Sequence, residues 1–166
     1  EADNHGTPVM GIIGAAADGN GTVGVAFGAD LIGYKTDWSR DQIEDAINLA
    51  VTANHDVVSM SYGEGSGVFT QRAGLVAAAD NAIENGRTQG GVDLGTVLVK
   101  SSGNSRAPAN SALREEGTTE AIDSHRGTIS VAALRADGQV TDFSTPGANV
   151  LVSAFADDVN NNPDIH

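Results

Sequence analysis

The sequence predicts an α/β fold: a mainly parallel sheet covered by helices on both faces, in three layers. Short β-branched runs alternate with longer stretches whose apolar residues recur at helical spacing. Residues 96–99, Thr-Val-Leu-Val, are too apolar for a half-exposed strand and read as a central parallel one. No internal repeat competes with that alternation.

The elements follow in order. Residues 7–17 are small and apolar almost all round, with Pro8 where a first helical turn tolerates a missing N–H, so a buried helix should begin just after His5. Residues 18–22 supply turn chemistry, and residues 29–35 resemble a short strand. Ser39 to Gln42 has the form of a capping box, and Ile43, Ile47, Ala50 and Val51 follow on one helical face. Residues 56–61 form a strand running into the glycine-rich loop 63–67, with Val57 and Val58 in the sheet core. A helix over 69–85 should stop at Gly86. After the central strand comes a long polar loop, 103–126, then strands over 128–134 and 149–154 with an Asp137-Gly138 turn between them.

A chain of 166 residues suits one domain, expected over residues 1–156, with the polar tail 157–166 frayed. The formal net charge of −13 disfavours nucleic acid and anionic membranes as partners. Cysteine is absent, which removes disulfides, thiolate nucleophiles and zinc–thiolate sites. No apolar run reaches membrane-spanning length and no signal peptide appears; the start at Glu1 reads as cut or processed.

Two residues stand where chemistry could occur. His5 lies at a helix start beside glycine, where backbone and solvent can approach an imidazole that titrates near neutral pH. Asn104 follows Ser102-Gly103 just beyond the carboxyl edge of the central strand, where ligands of parallel sheets gather. Its amide could donate to an oxyanion as one develops. Taken singly, a capping histidine and an ordinary Gly-Asn turn explain them better.

Four blocks in one order change that weighting. His5-Gly6-Thr7-Pro8-Val9-Met10-Gly11, Asp56-Val57-Val58-Ser59-Met60-Ser61-Tyr62-Gly63, Ser101-Ser102-Gly103-Asn104, and Gly127 to Ala133 with Phe143-Ser144-Thr145-Pro146-Gly147 together resemble the subtilase family of serine proteases over nearly the whole chain. The resemblance implies a partial subtilisin-like peptidase domain. In it His5 would be general base and acid, and Asn104 the oxyanion donor. Ser61, Tyr62 and Gly63 would pair with an extended peptide, with Ser101, Ser102 and Gly103 as the facing wall of the pocket. It also implies a secreted protein with an inhibitory propeptide as partner, and structural calcium held by Asp18, Asn20 and Thr22. Met10 and Pro8 depart from the pattern without touching the role of His5. The family's aspartate block precedes its histidine, and its Gly-Thr-Ser block is expected beyond the strand ending at Ala154. Asp3 and the Gly127-Thr128-Ile129-Ser130 run match neither, so this chain alone should show little or no triad-dependent hydrolysis.

Two further readings are weaker. A pseudoprotease would keep the peptide groove without turnover. A nucleotide-binding domain is suggested only by glycine-rich turns, and no G-x-G-x-x-G or P-loop follows a strand. His55, His125 and His166 sit in polar surroundings without ligand spacing and read as solvated. Asp157 and Asp158 belong to the frayed end, and residues 106–126 could border a cleft or be a neutral insertion.

Overall fold

The computed structural model describes residues 5–36, 39–63, 72–106 and 117–156. They fall into two compact units, one up to Lys35 and one from Thr36. No described helix is long and apolar enough to cross a membrane.

In the first unit, α1 (Gly6–Gly14) starts where expected, immediately after His5. It returns on itself through Val25 N–H to Ile12 O (3.1 Å) and Ala26 N–H to Ile13 O (2.7 Å). Met10 meets Gly33, where a Cβ would lie 3.3 Å from its sulfur. The helix contains no buried residue, and Ile12 is 66% exposed. The buried helix expected here is thus exposed within this chain. The strand expected over 29–35 is also absent: among the described residues no ladder partner supplies its hydrogen bonds.

The second unit is built on a four-stranded parallel sheet, in the order β1 (Val57–Met60), β4 (Val97–Ser101), β5 (Thr128–Leu134), β6 (Val150–Phe155). The fold is α/β with a parallel sheet, as the alternation predicted, and β4 is central. Helices α2 (Arg40–Thr52) and α3 (Ala73–Asn85) pack on each other. Ile43, Ile47 and Val51 meet Leu75, Ala78, Ala79 and Ala82 over Met60, Leu98 and Ile122. The apolar stripe read at residues 43, 47, 50 and 51 is buried throughout. Across the same helix pair, Asn81 Nδ2 donates to Asn48 Oδ1 at 2.9 Å. The start expected for α3 at residues 69–71, the loop 64–67 and the tail 157–166 lie outside the described residues.

Several local expectations change. Ser39 stands at the N-cap of α2 in extended geometry and its carbonyl accepts the first intrahelical bond, from Ile43 N–H at 3.2 Å, but it makes no side-chain cap bond. Gly86 ends α3 at φ −72°, so no left-handed cap explains it. Glycine is required because a Cβ would collide with the Ala82 carbonyl and with Thr96. Val57 is not core: β1 is the outer strand of the described sheet and Val57 is 54% exposed. Val97 is exposed too, so β4 alternates, with Leu98 and Lys100 on its buried face. The sequence reading missed a hairpin, β2 (Thr88–Gln89) with β3 (Val92–Asp93). Its turn is Gly90-Gly91, both at positive φ, the dipeptide a tight primed turn demands. The Asp137-Gly138 turn is present, with Gly138 at φ 80° and Gln139 N–H bonded to Asp137 Oδ1 at 2.9 Å.

Candidate functional site

Strands β1 and β4 pair in parallel with Met60 opposite Lys100. Their continuations, Ser61 to Gly63 and Ser101 to Asn104, therefore leave the sheet side by side at its carboxyl edge, where function was expected. Ser61 and Gly63 are exposed and Tyr62 is half-buried; Ser101 and Gly103 are half-buried, Ser102 is buried, and Asn104 is exposed. The two predicted walls of a peptide groove are thus neighbours.

A second strip of chain fixes the Asn104 loop. Gly103 has φ 98°, and a Cβ there would lie 2.9 Å from Thr145 Oγ1, so conformation and space both require glycine. Thr145 N–H donates to Gly103 O (2.9 Å), Thr145 Oγ1 accepts Ser105 N–H (2.8 Å), and Arg106 N–H donates to Phe143 O (3.1 Å). Ser102 N–H donates to Val131 O at 2.9 Å. Ser144, also buried, accepts Ala133 N–H at 3.0 Å and lies 3.4 Å from Ser102 Oγ. Asn104 is therefore an exposed residue on a clamped backbone. The sequence supplied Phe143-Ser144-Thr145 only as part of a matching block; its bracing role became visible with the hydrogen bonds.

Thr145→Val should expose the cost of that clamp. It leaves the Ser105 N–H without its acceptor, a loss of about 1–3 kcal/mol. Urea unfolding of the variant reads that loss, and an unchanged midpoint would show that the loop holds its geometry without this bond.

Beneath the two exits lies a group that no motif announced. The Lys100 side chain is fully buried, with Nζ 2.8 Å from Asp123 Oδ1 and 3.4 Å from Glu120 Oε2. Nζ also sits 5.5 Å from the centre of the Tyr62 ring and 3.5 Å from Ser101 O. Burial raises the Tyr62 phenol well above its usual range, and the Asp123 and Glu120 carboxylates raise it further while Arg72 opposes them. Burial pushes the Asp123 carboxyl up from an ordinary 3.8 to about 6; Lys100 pulls it down by charge and hydrogen bond, and Glu120 adds to the rise. The sequence carried one sign of it, a lysine following an apolar strand core.

The sign of the pH effect follows. A carboxyl whose folded value is raised binds its proton more readily in the folded state, so its contribution is full below the ordinary value and is lost as pH rises through about 4 to 6. The stability of the wild type relative to Asp123→Asn should therefore fall by on the order of 2–3 kcal/mol between pH 4 and pH 7. Urea unfolding at both pH values checks this, and parallel pH profiles for the two proteins would contradict it.

His5 belongs to the first unit. It is exposed in αR geometry at the start of α1, its carbonyl accepts Val9 N–H at 3.5 Å, and its ring makes no capping bond. Asp18, Asn20 and Thr22 are exposed, and Asp18 Oδ1 accepts Asn20 N–H at 2.9 Å, an Asx turn. Among the described residues no three His, Cys, Asp or Glu side chains gather as a metal site. His125 is not solvated as expected: its side chain is 8% exposed, with Nε2 3.2 Å from Asp80 Oδ1 and Nδ1 accepting Gly127 N–H at 3.2 Å. That backbone donor places the proton on Nε2, facing Asp80. His55 is half-buried, and His166 lies outside the described residues.

A subtilase family model, peptidase S8, matches residues 1–166. The chain belongs to the subtilase family. The thermostable alkaline protease of Halalkalibacterium halodurans is 31% identical over 164 residues, covering 95% of this chain and 39% of the relative. Subtilisin amylosacchariticus of Bacillus subtilis subsp. amylosacchariticus is 28% identical over 159 residues, covering 93% and 37% respectively. This subtilase chain thus spans well under half of the curated relatives it matches. In fold it is similar to the serine protease of Aeromonas sobria, with a TM-score of 0.74, 23% identity, and coverage of 92% of this chain and 28% of that one. The same protease has been solved with a chaperone, where the TM-score is 0.73 at 24% identity.

Proposed function

We propose that the full-length protein is a serine endopeptidase acting on extended peptides through an acyl-enzyme. The observation that carries this reading is the β1–β4 register, which sets Ser61 to Gly63 beside Ser101 to Asn104 at the carboxyl edge of the sheet. A peptide strand would lie between those exits, bonded through its backbone to both walls. The His5 imidazole would take the proton of a serine hydroxyl as that oxygen attacks the scissile carbonyl. The Asn104 amide would donate to the oxygen as it becomes negative, and His5 would return the proton to the leaving amine. Water would then release the acyl group by the same steps. In this reading the serine and the aspartate orienting His5 come from parts of the protein other than residues 1–166, and this chain alone does not hydrolyse peptides.

Secretion and an inhibitory propeptide belong to the same reading. Its support is the subtilase assignment together with the chaperone that accompanies one structural relative.

A fluorophosphonate probe tests the proposal, since covalent attachment needs an activated serine. Labelling of the full-length protein is expected, with none on residues 1–166 expressed alone. Whether the labelled protein accumulates in the medium or in cells reads its location. Peptide binding without labelling would favour the pseudoprotease, and neither binding nor labelling would overturn both readings.

A further inference from the structure

We infer that Lys100 is a positioning residue: its buried ammonium ties the segment bearing Glu120 and Asp123 to the exits of β1 and β4, and so sets the shape of the proposed peptide groove. The inference rests on the groove assignment above, which it deepens.

Position 100 shares the buried face of the central strand with Leu98, and Lys100 is the largest fully buried side chain described. Packing alone does not explain a lysine there. An apolar residue of similar volume would fill the slot without the desolvation cost of a charge, and exchanging a buried ion pair for apolar side chains is often neutral or stabilising. What an ammonium supplies is direction. From one atom it reaches Asp123 at 2.8 Å, Glu120 at 3.4 Å, the Tyr62 ring at 5.5 Å and the Ser101 carbonyl at 3.5 Å. Those groups belong to three stretches of chain: the exit of β1, the exit of β4, and residues 117–123.

Glu120 extends the tie to the groove wall. Its Oε2 faces Lys100, while its Oε1 would lie 3.4 Å from a Cβ placed on Gly63. The far end of the same segment is anchored independently. Gly117 N–H donates to Pro146 O at 2.8 Å, and Asn149 Nδ2 donates to Asp123 O at 3.2 Å. With both ends fixed, the ammonium draws the middle of the segment toward Tyr62 and Gly63. Without it, Asp123 and Glu120 lose the charge they both face, and the segment loses that hold against the wall.

Lys100→Met keeps most of the stem and removes the charge. Amide hydrogen exchange in residues 61–63 and 117–123 should accelerate about tenfold or more, while the interiors of α2 and α3 keep their protection. In the full-length protein KM for a peptide substrate should rise about fivefold or more with kcat held within about threefold, the signature of a misplaced binding wall. Glu120→Gln guards against a Lys100 variant that does not fold. It leaves the Lys100–Asp123 pair in place and should shift KM and local exchange in the same direction by a smaller factor. If neither variant changes local exchange or KM, the inference is wrong. It is equally wrong if every amide loosens together and kcat falls with KM unchanged, because Lys100 would then serve only the core. A wild-type protein that takes no fluorophosphonate label and cleaves no peptide would instead overturn the functional reading, and the exchange experiment would still decide the tie.

Discussion

Replacing His5 with alanine in the full-length protein is expected to lower kcat on a peptide substrate by on the order of a millionfold, the magnitude found when a subtilisin loses its histidine and carried over from that family. The size follows from the two proton transfers assigned to one ring. Without a base the serine hydroxyl remains protonated and a poor nucleophile, and without an acid the amine leaves as an unstable anion. KM should change little, because binding is assigned to the backbone of residues 61–63 and 101–103. Stability should change little as well: His5 is exposed and its ring makes no capping bond to α1. Steady-state kinetics beside a thermal melt separates these effects. A variant retaining more than about a hundredth of wild-type kcat would remove His5 from the proton-transfer role.

Asn104→Ala should lower kcat by about a hundred- to a thousandfold with KM nearly constant, again the magnitude known for the oxyanion amide of a subtilisin. The split between kcat and KM is the informative part. The carbonyl oxygen carries full charge only in the tetrahedral intermediate, so an amide aimed at that charge contributes to the transition state and little to ground-state binding. The backbone around residue 104 is held by Thr145, Phe143 and Val131 through bonds that do not involve the Asn104 side chain, so its truncation should leave the loop in place. Equal increases in KM and no loss of kcat would make Asn104 a binding residue. In the double variant with His5→Ala the two losses should fall short of additive, because residues that act as a unit lose their benefit together.

The sequence was most legible where a single physical rule governs a segment. Ile43, Ile47, Ala50 and Val51 repeat at helical spacing and are all buried, and residues 128–134 form a strand over the expected span. Thr96-Val97-Leu98-Val99 gave the central strand, although Val97 is exposed and Lys100 is not. Periodicity identifies a face without revealing that a charge on it has partners, and those partners, Glu120 and Asp123, lie twenty or more residues away in the chain. The same distance hid the tie between Thr145 and Ser105, forty residues apart, and the pairing of His125 with Asp80. The buried-helix reading of residues 7–17 failed for a different reason: apolar composition reports what a helix could bury, while burial itself depends on what surrounds it. Of the candidate site, the two groove walls follow from strand register and are neighbours in the second unit. His5 stands in the first.

The most direct test is a structure of the full-length protein carrying a peptidyl boronate or phosphonate adduct on its serine. An imidazole nitrogen of His5 should lie within hydrogen-bond reach of the attacking or leaving oxygen, and Asn104 Nδ2 should stand about 2.7–3.1 Å from the adduct oxygen that occupies the oxyanion position. An adduct whose oxygen points away from Asn104, or a His5 ring on the opposite face of the sheet from the bound serine, would contradict the convergence of these two residues on one reacting carbonyl.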